Sequence, residues 1–194
     1  MNPKIIKEAL VYDDRIRVMK AELELLAIDG KTLHFDRSRV QREDAAAVIL
    51  FDRERDCFIF ISQFRYPVAY HQEKVLMELV AGKVDEGEDP FVTAIRETEE
   101  ESGYVVPAER MKFMCTFFAS PGYTTERYFL YLAEVTASDF TSKGGGLEEE
   151  NEYIEKIEMT REAFFRACLK GEITDGKTLM AGLWLMNSGF SKTH

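Results

Sequence analysis

Between Asp89 and Gly103 the chain sets Glu97, Glu99, Glu100 and Glu101 within five consecutive residues of a segment that otherwise reads as a helix. Asp89-Pro90 supplies an N-cap acceptor and a proline suited to a first turn, and Gly103 supplies a stop, so the spacing predicts one helix over about 89–102. With about 3.6 residues per turn, Phe91, Ala94, Ile95 and Thr98 form one stripe, while Glu97, Glu100 and Glu101 form another. Such glutamates repel one another, and they stand near a helix C-terminus, where the helix dipole disfavours anions. A solvated acidic face is the usual meaning of a glutamate run. Three carboxylates converging on one face have a second meaning: a hard divalent cation such as Mg²⁺ takes oxygen ligands and offsets the repulsion.

The flanks of this helix separate the two meanings. The stretch from Gly82 through Glu88 and Arg96 to Tyr104 resembles the Nudix box, G-x5-E-x7-R-E-U-x-E-E-x-G-U, with U a bulky apolar residue. Gly82, Glu88, Arg96, Glu97, Glu100, Glu101, Gly103 and Tyr104 fall in register. Thr98 stands where the family prefers an aliphatic residue, and since it lies on the apolar stripe the departure bears on packing rather than on chemistry. The chain is thus identified as a member of the Nudix hydrolases, which attack diphosphates linking a nucleoside to a second group.

That resemblance implies a set of roles. The backbone carbonyl of Ala81 and the carboxylates of Glu97, Glu101 and Glu100 would hold Mg²⁺, with Mn²⁺ a possible substitute, and Arg96 with Glu88 would orient those carboxylates. The cation would neutralise the diphosphate and activate a water. Glu152, in the loop led by Gly144-Gly-Gly146, matches the loop glutamate of related enzymes and is the candidate base and further metal ligand, with Glu148, Glu149 and Glu150 as rivals.

Beyond the box, Ser62-Gln-Phe-Arg65, Ser120-Pro-Gly122, Glu126, the glycine-led loop and Gly171 to Lys177 resemble the branch of ADP-ribose pyrophosphatases and GDP-mannose-type nucleoside-diphosphate-sugar hydrolases. Asp175-Gly-Lys177 looks like the Asp-x-Lys element of the diphosphosugar members, which favours a nucleoside-diphosphate sugar over ADP-ribose. The same three residues also read as a plain helix cap. Arg65 is a phosphate fork or an edge-strand charge. Glu126 is a candidate acceptor for a ribose or sugar hydroxyl, and Arg15 a weaker phosphate or base contact. A non-catalytic nucleotide sensor on the same fold is the alternative of another class, and the intact box glutamates argue against it.

Composition narrows the partners. In 194 residues, 45% hydrophobic and 31% charged, a net charge of −10 and no basic tract speak against a nucleic-acid polymer. No apolar run spans a membrane and the start lacks a signal-peptide core, so cytoplasm is the default expectation. Cys57, Cys115 and Cys168 read as buried thiols. No histidine has metal-ligand spacing.

Apolar alternation predicts strands over Ile5 to Tyr12, Ile16 to Leu25, Thr32 to Phe35, Ala45 to Phe51, Cys57 to Gln63, Val75 to Val80, Met111 to Ala119, Arg127 to Val135 and Ile154 to Met159, and helices over 161–170 and 177–188. Lys143 to Glu152 reads as a flexible acidic loop. The expected fold is α/β: an α/β/α sandwich on a mixed sheet over 43–194, the layering that the resemblance also implies, preceded by a small antiparallel β segment over 1–42. Exposed edges on that segment call for a partner, and the resemblance implies a homodimer built through it.

Overall fold

Ala45–Asp52 carries no charge before its last residue, and every residue in it is buried. Such a strand must be covered on both faces, and its alternating side chains are. Ala46, Val48 and Leu50 pack with Ala94, Tyr104 and Val106, against which Phe91 and Ile95 also rest. Ala47, Ile49 and Phe51 join Phe58, Phe60, Phe164, Ala167, Ala181 and Leu185 on the opposite face. The computed structural model describes residues 2–71, 75–146 and 153–190. They fall into two units.

The first unit holds the residues through Asp44 together with Phe118–Arg127. Strands β1 (Asn2–Asp13), β2 (Arg17–Leu26) and β3 (Thr32–Gln41) form an antiparallel sheet in the order β1-β2-β3. Gly30 at φ 82° turns β2 into β3, with the Lys31 N–H donating to Asp29 Oδ1 at 3.1 Å. Tyr123 and Thr125 exchange backbone hydrogen bonds with Val40 at 2.7 and 3.2 Å, extending β3 at its end. Ala21 is the one buried residue among those described in this unit, and neighbouring Ile5 and Ile6 are both exposed.

The second unit holds Ala45–Phe117 and the chain from Tyr128 onward. Strands β4 (Ala45–Asp52), β5 (Cys57–Phe64), β6 (Val75–Glu78), β7 (Val80–Lys83), β8 (Met111–Phe118), β9 (Arg127–Val135) and β10 (Glu155–Thr160) make a seven-stranded sheet whose main path is β10-β5-β4-β9-β8. The sheet is mixed: β9 runs parallel to β4, while β5 and β7 run antiparallel to it. Helix α1 (Pro90–Glu97) lies on one face, α2 (Arg161–Lys170) and α3 (Gly176–Asn187) on the other, the expected α/β/α layering. None of the described helices is long and apolar enough to cross a membrane.

The expected single strand Val75 to Val80 is in fact two. β4 pairs with β5 only through Leu50–Asp52, and its first half pairs with β7. The far end of β5, Ile61 to Phe64, pairs with β6. The two long strands diverge, and the segment 75–83 crosses the opening, changing partner at Leu79. This sets Glu78, Ala81 and Gly82 inside the sheet. β5 is likewise interior, between β10 and β4, so the edge-strand reading of Arg65 does not hold. Cys57 and Cys168 are buried as expected, whereas Cys115 is only half-buried.

The expected regular helix over 89–102 is also corrected. Asp89 caps it by accepting from the Phe91 N–H at 2.9 Å, and α1 then gives way at Thr98–Ser102 to a π-helical turn. The Thr98 hydroxyl donates to the Ala94 carbonyl at 2.7 Å and the Ser102 hydroxyl to the Thr98 carbonyl at 2.5 Å. Hydroxyls bonding back four residues compete with the ladder and loosen it. Thr98, at the family's aliphatic position, is fully buried, as its stripe required. Gly103 ends the turn at φ 75°.

The glycine loop covers that end. Gly145 and Gly146 donate to the carbonyls of Glu101 and Glu100 at 2.9 and 3.2 Å, taking acceptors a helix end leaves open. Its glycine stem is therefore docked rather than flexible, and the acidic remainder, with Glu148, Glu149, Glu150 and Glu152, lies outside the described residues. A Cβ at Gly103 would fall 2.0 Å from the Ser142 carbonyl oxygen. Gly103→Ala is expected to lower stability by about 2 kcal/mol or more, from left-handed backbone strain plus the clash. A urea midpoint unchanged within error would show that the loop does not dock here.

Candidate functional site

Two charged clusters are built on the crossing segment. The first joins the glutamate helix to β7. Glu101 is 2% exposed, and its Oε2 accepts the Ala81 N–H at 2.9 Å. In an antiparallel pair a residue turns both backbone groups toward its partner or both away. The Ala81 N–H is turned from β4 to Glu101, so the Ala81 carbonyl also faces the glutamate side. Glu97 lies over the next residue: a Cβ on Gly82 would stand 1.8 Å from the Glu97 carboxyl carbon. Glycine here makes room for a carboxylate.

Arg96 ties the remaining carboxylates together. Its Nη1 donates to Glu97 Oε1 at 2.7 Å and to Glu100 Oε2 at 2.9 Å, and its Nη2 is 3.6 Å from Glu88 Oε2. Burial works against the guanidinium charge, but Glu97 and Glu100 more than offset it and raise the Arg96 pKa. Glu88 accepts the Thr93 hydroxyl at 2.6 Å; that bond and the nearby Arg96 charge lower its pKa. Glu99 faces solvent and belongs to neither set.

The donor set is four groups of hard oxygen character, three carboxylates and one carbonyl, next to a position with no Cβ. Those residues fit a hard divalent cation. As they stand, no three carboxylates among the described residues close on a single point, because Arg96 bridges Glu97 to Glu100 while Glu101 holds Ala81.

The second cluster unites Arg65 with the Asp175-Gly-Lys177 element, through a residue that the sequence reading did not single out. Glu78 is 1% exposed. Its Oε1 accepts Arg65 Nε at 2.7 Å and its Oε2 accepts the Lys177 ammonium. Lys177 also donates to Asp175 Oδ1 at 3.1 Å. Asp175 caps α3 by accepting the Thr178 N–H at 3.0 Å, so the cap reading is correct. Lys177 does not project freely from the helix start: its side chain is 6% exposed and turned inward. Burial opposes its charge, yet Glu78 and Asp175 outweigh it and hold the lysine pKa above its ordinary value. Burial likewise opposes Arg65, and Glu78 with a contribution from Glu101 keeps it charged. The signal for Glu78 was present in the sequence as a lone carboxylate inside the apolar run from Val75 to Val80.

The other candidates stand elsewhere. Arg15 and Glu126 belong to the first unit, where Arg15 is exposed and Glu126 Oε1 lies 3.6 Å from Arg42 Nε. Glu152 lies outside the described residues.

The chain is similar to several known proteins. A family model described as NUDIX domain matches residues 41–179. The chain is 33% identical over 186 residues to a methanol dehydrogenase activator of Bacillus methanolicus, covering 94% of both chains. It is 31% identical to a GDP-mannose pyrophosphatase of Cronobacter sakazakii, covering 93% of both. Similarity to an ADP-ribose pyrophosphatase of Haemophilus influenzae is also 31%, over 94% of this chain and 85% of that one.

Gly82→Ala tests the carboxylate placement. The backbone at Gly82 is not left-handed and the crowded atoms all belong to the Glu97 side chain, so folding is expected to lose about 1–3 kcal/mol. Glu97 must swing away, and divalent-cation affinity should fall about tenfold or more, read from the Mg²⁺-dependent rise in melting temperature. An unchanged Mg²⁺ response would remove Glu97 from the site.

Proposed function

The chain belongs to the NUDIX family of hydrolases, and on that basis we propose that it is a Mg²⁺-dependent hydrolase of nucleoside-diphosphate sugars, releasing a nucleoside monophosphate and a sugar 1-phosphate. The observation that carries the reading is the joint placement of Glu97 over Gly82 and Glu101 on Ala81, with Arg96 holding Glu97 and Glu100. When bound, Mg²⁺ supplies neutralisation of the diphosphate and a more acidic water. Glu97, Glu100, Glu101 and the Ala81 carbonyl hold it, and Mn²⁺ suits the same oxygens. Arg96 keeps its neighbouring carboxylates in place while they are crowded together.

The reaction is a displacement at phosphorus. A water oxygen bonds to one phosphorus of the diphosphate, the bond to the bridging oxygen breaks, and that oxygen leaves with the other phosphate. Glu152 takes the water's proton in this proposal, with Glu148, Glu149 and Glu150 as rivals. Arg65 donates to the phosphate oxygens. Lys177, which among the described residues donates to Glu78 and Asp175, turns its remaining N–H to the ligand in this proposal. Glu126 and Arg15 are candidates for sugar and base contacts of their own.

Asp175-Gly176-Lys177 favours a hexose-linked substrate over ADP-ribose, which the Haemophilus relative supports at equal identity. A reading from another class, a protein that acts on a partner enzyme, is favoured by the name of the Bacillus relative. Ile5, Ile6, Leu10, Val11 and Tyr12, all exposed on β1, support a homodimer formed through the N-terminal sheet.

Phosphate-coupled assays over GDP-mannose, ADP-glucose, UDP-glucose and ADP-ribose are expected to show fastest turnover for a hexose-linked substrate. Glu101→Gln should cut that turnover by about two orders of magnitude or more while the chain still folds. Near-normal turnover at saturating Mg²⁺ would sink the metal assignment. Fastest turnover on ADP-ribose would decide for the runner-up, and no turnover on any of the four would favour the regulator.

A further inference from the structure

Arg65, Lys177 and Asp175 meet on Glu78, and nothing assigned so far explains why a carboxylate sits there. Glu78 lies in β6 opposite Ile61 of β5, three residues before Ala81, with only 1% of its surface exposed. Burying a carboxylate costs several kcal/mol, and ion pairs in such places commonly stabilise no better than apolar side chains of similar size. Stability alone is therefore a poor reason for this residue.

Its contacts suggest another. Glu78 takes Arg65 by Nε alone, at 2.7 Å. Both terminal amino groups of Arg65 are left without a partner among the described residues, on a side chain 39% exposed. A guanidinium gripped by Nε has its fork fixed in direction with both prongs free. The carboxylate is itself clamped from behind by Lys177. The clamp is set against the strand at the next residue, where the Leu79 N–H donates to Thr178 Oγ1 at 3.0 Å. Glu78 also stands three residues before Ala81, whose N–H meets Glu101, so the clamp and the glutamate cluster are carried by one segment.

We propose that Glu78 is a positioning residue: it aims the two terminal amino groups of Arg65 at the diphosphate and, through Lys177, locks that aim to the start of α3. The inference rests on reading the site as a diphosphate site. It makes a prediction opposite in sign to simple electrostatics. Removing a negative charge from beside two cations should strengthen anion binding if Glu78 only neutralised them. If Glu78 aims Arg65, its removal weakens binding.

The test is calorimetric binding of GDP with Mg²⁺ to the full chain and to Glu78→Gln, Arg65→Met and the double variant, beside melting temperatures. Glu78→Gln is expected to weaken GDP binding about tenfold. In the Arg65→Met background the same change should add no further loss, because the residue it acts through is gone. GDP bound as tightly or more tightly by Glu78→Gln overturns the proposal, as do losses that multiply independently or a wild type that binds no GDP. Should Glu78→Gln fail to fold, Arg65→Met decides: unchanged GDP affinity would leave nothing to be aimed and overturn the proposal, while a tenfold loss supports it. A wild type that binds GDP yet hydrolyses no nucleotide sugar defeats the proposed reaction and leaves the Glu78 inference standing on its binding constants.

Discussion

The hydrogen bond from the Ala81 N–H to the Glu101 carboxylate holds the glutamate helix to the middle of the sheet. It exists because β4 and β5 diverge, which lets segment 75–83 enter the opening and turn backbone groups away from its partner strand. A strand paired on both sides would have no N–H to offer. A glutamate on a regular exposed helix would have no reason to be 2% exposed. The π turn over Thr98–Ser102 changes the phase of the helix where Glu101 must point inward, and the hydroxyls of Thr98 and Ser102 favour that loosening.

Crowding carboxylates at a helix C-terminus is unfavourable on two counts, mutual repulsion and the dipole. The protein meets both locally. Arg96 lies between Glu97 and Glu100, and Gly145 and Gly146 donate to the carbonyls of Glu101 and Glu100, where the dipole's negative end is concentrated. The glycine loop thus has a structural duty apart from any carried by its acidic residues. Only glycine permits the approach, since a Cβ at Gly144 would lie 2.4 Å from the Glu101 carbonyl oxygen. The glutamates and the loop stem are in this sense one object.

Much of this was legible in the sequence. Two-residue alternation located the sheet, and the cap signals at Asp89, Gly103 and Asp175 located helix ends, because both depend on interactions within a few residues. Gly82, Glu97, Glu100 and Glu101 were legible because they fall in register with the Nudix box. What escaped depended on partners distant in the chain. The break at Leu79 follows from where β4 and β5 separate, and no local pattern records that. The π turn arose from two hydroxyls whose bonds could equally have faced solvent. Lys177 turns inward because of Glu78, 99 residues away, a partner that no local pattern records. Glu78 itself carried a readable signal, a carboxylate in an apolar run, whose meaning needed the third dimension.

The two clusters share one short piece of chain. Glu78 and Ala81 are three residues apart on segment 75–83: the first holds Arg65 and Lys177, the second meets Glu101. Over three residues an extended chain spans about 10 Å, and here it is paired first to β5 and then to β4. Side chains from the residue after β5, from the π turn and from α3 are thereby registered against one ruler rather than against each other. This suits a ligand that needs cation and guanidinium at a set separation, as a diphosphate does. It also explains why the ruler lies within the sheet: a loop could carry the same residues, but their spacing would vary with its motion, and placement errors of about 1 Å are costly for phosphoryl chemistry.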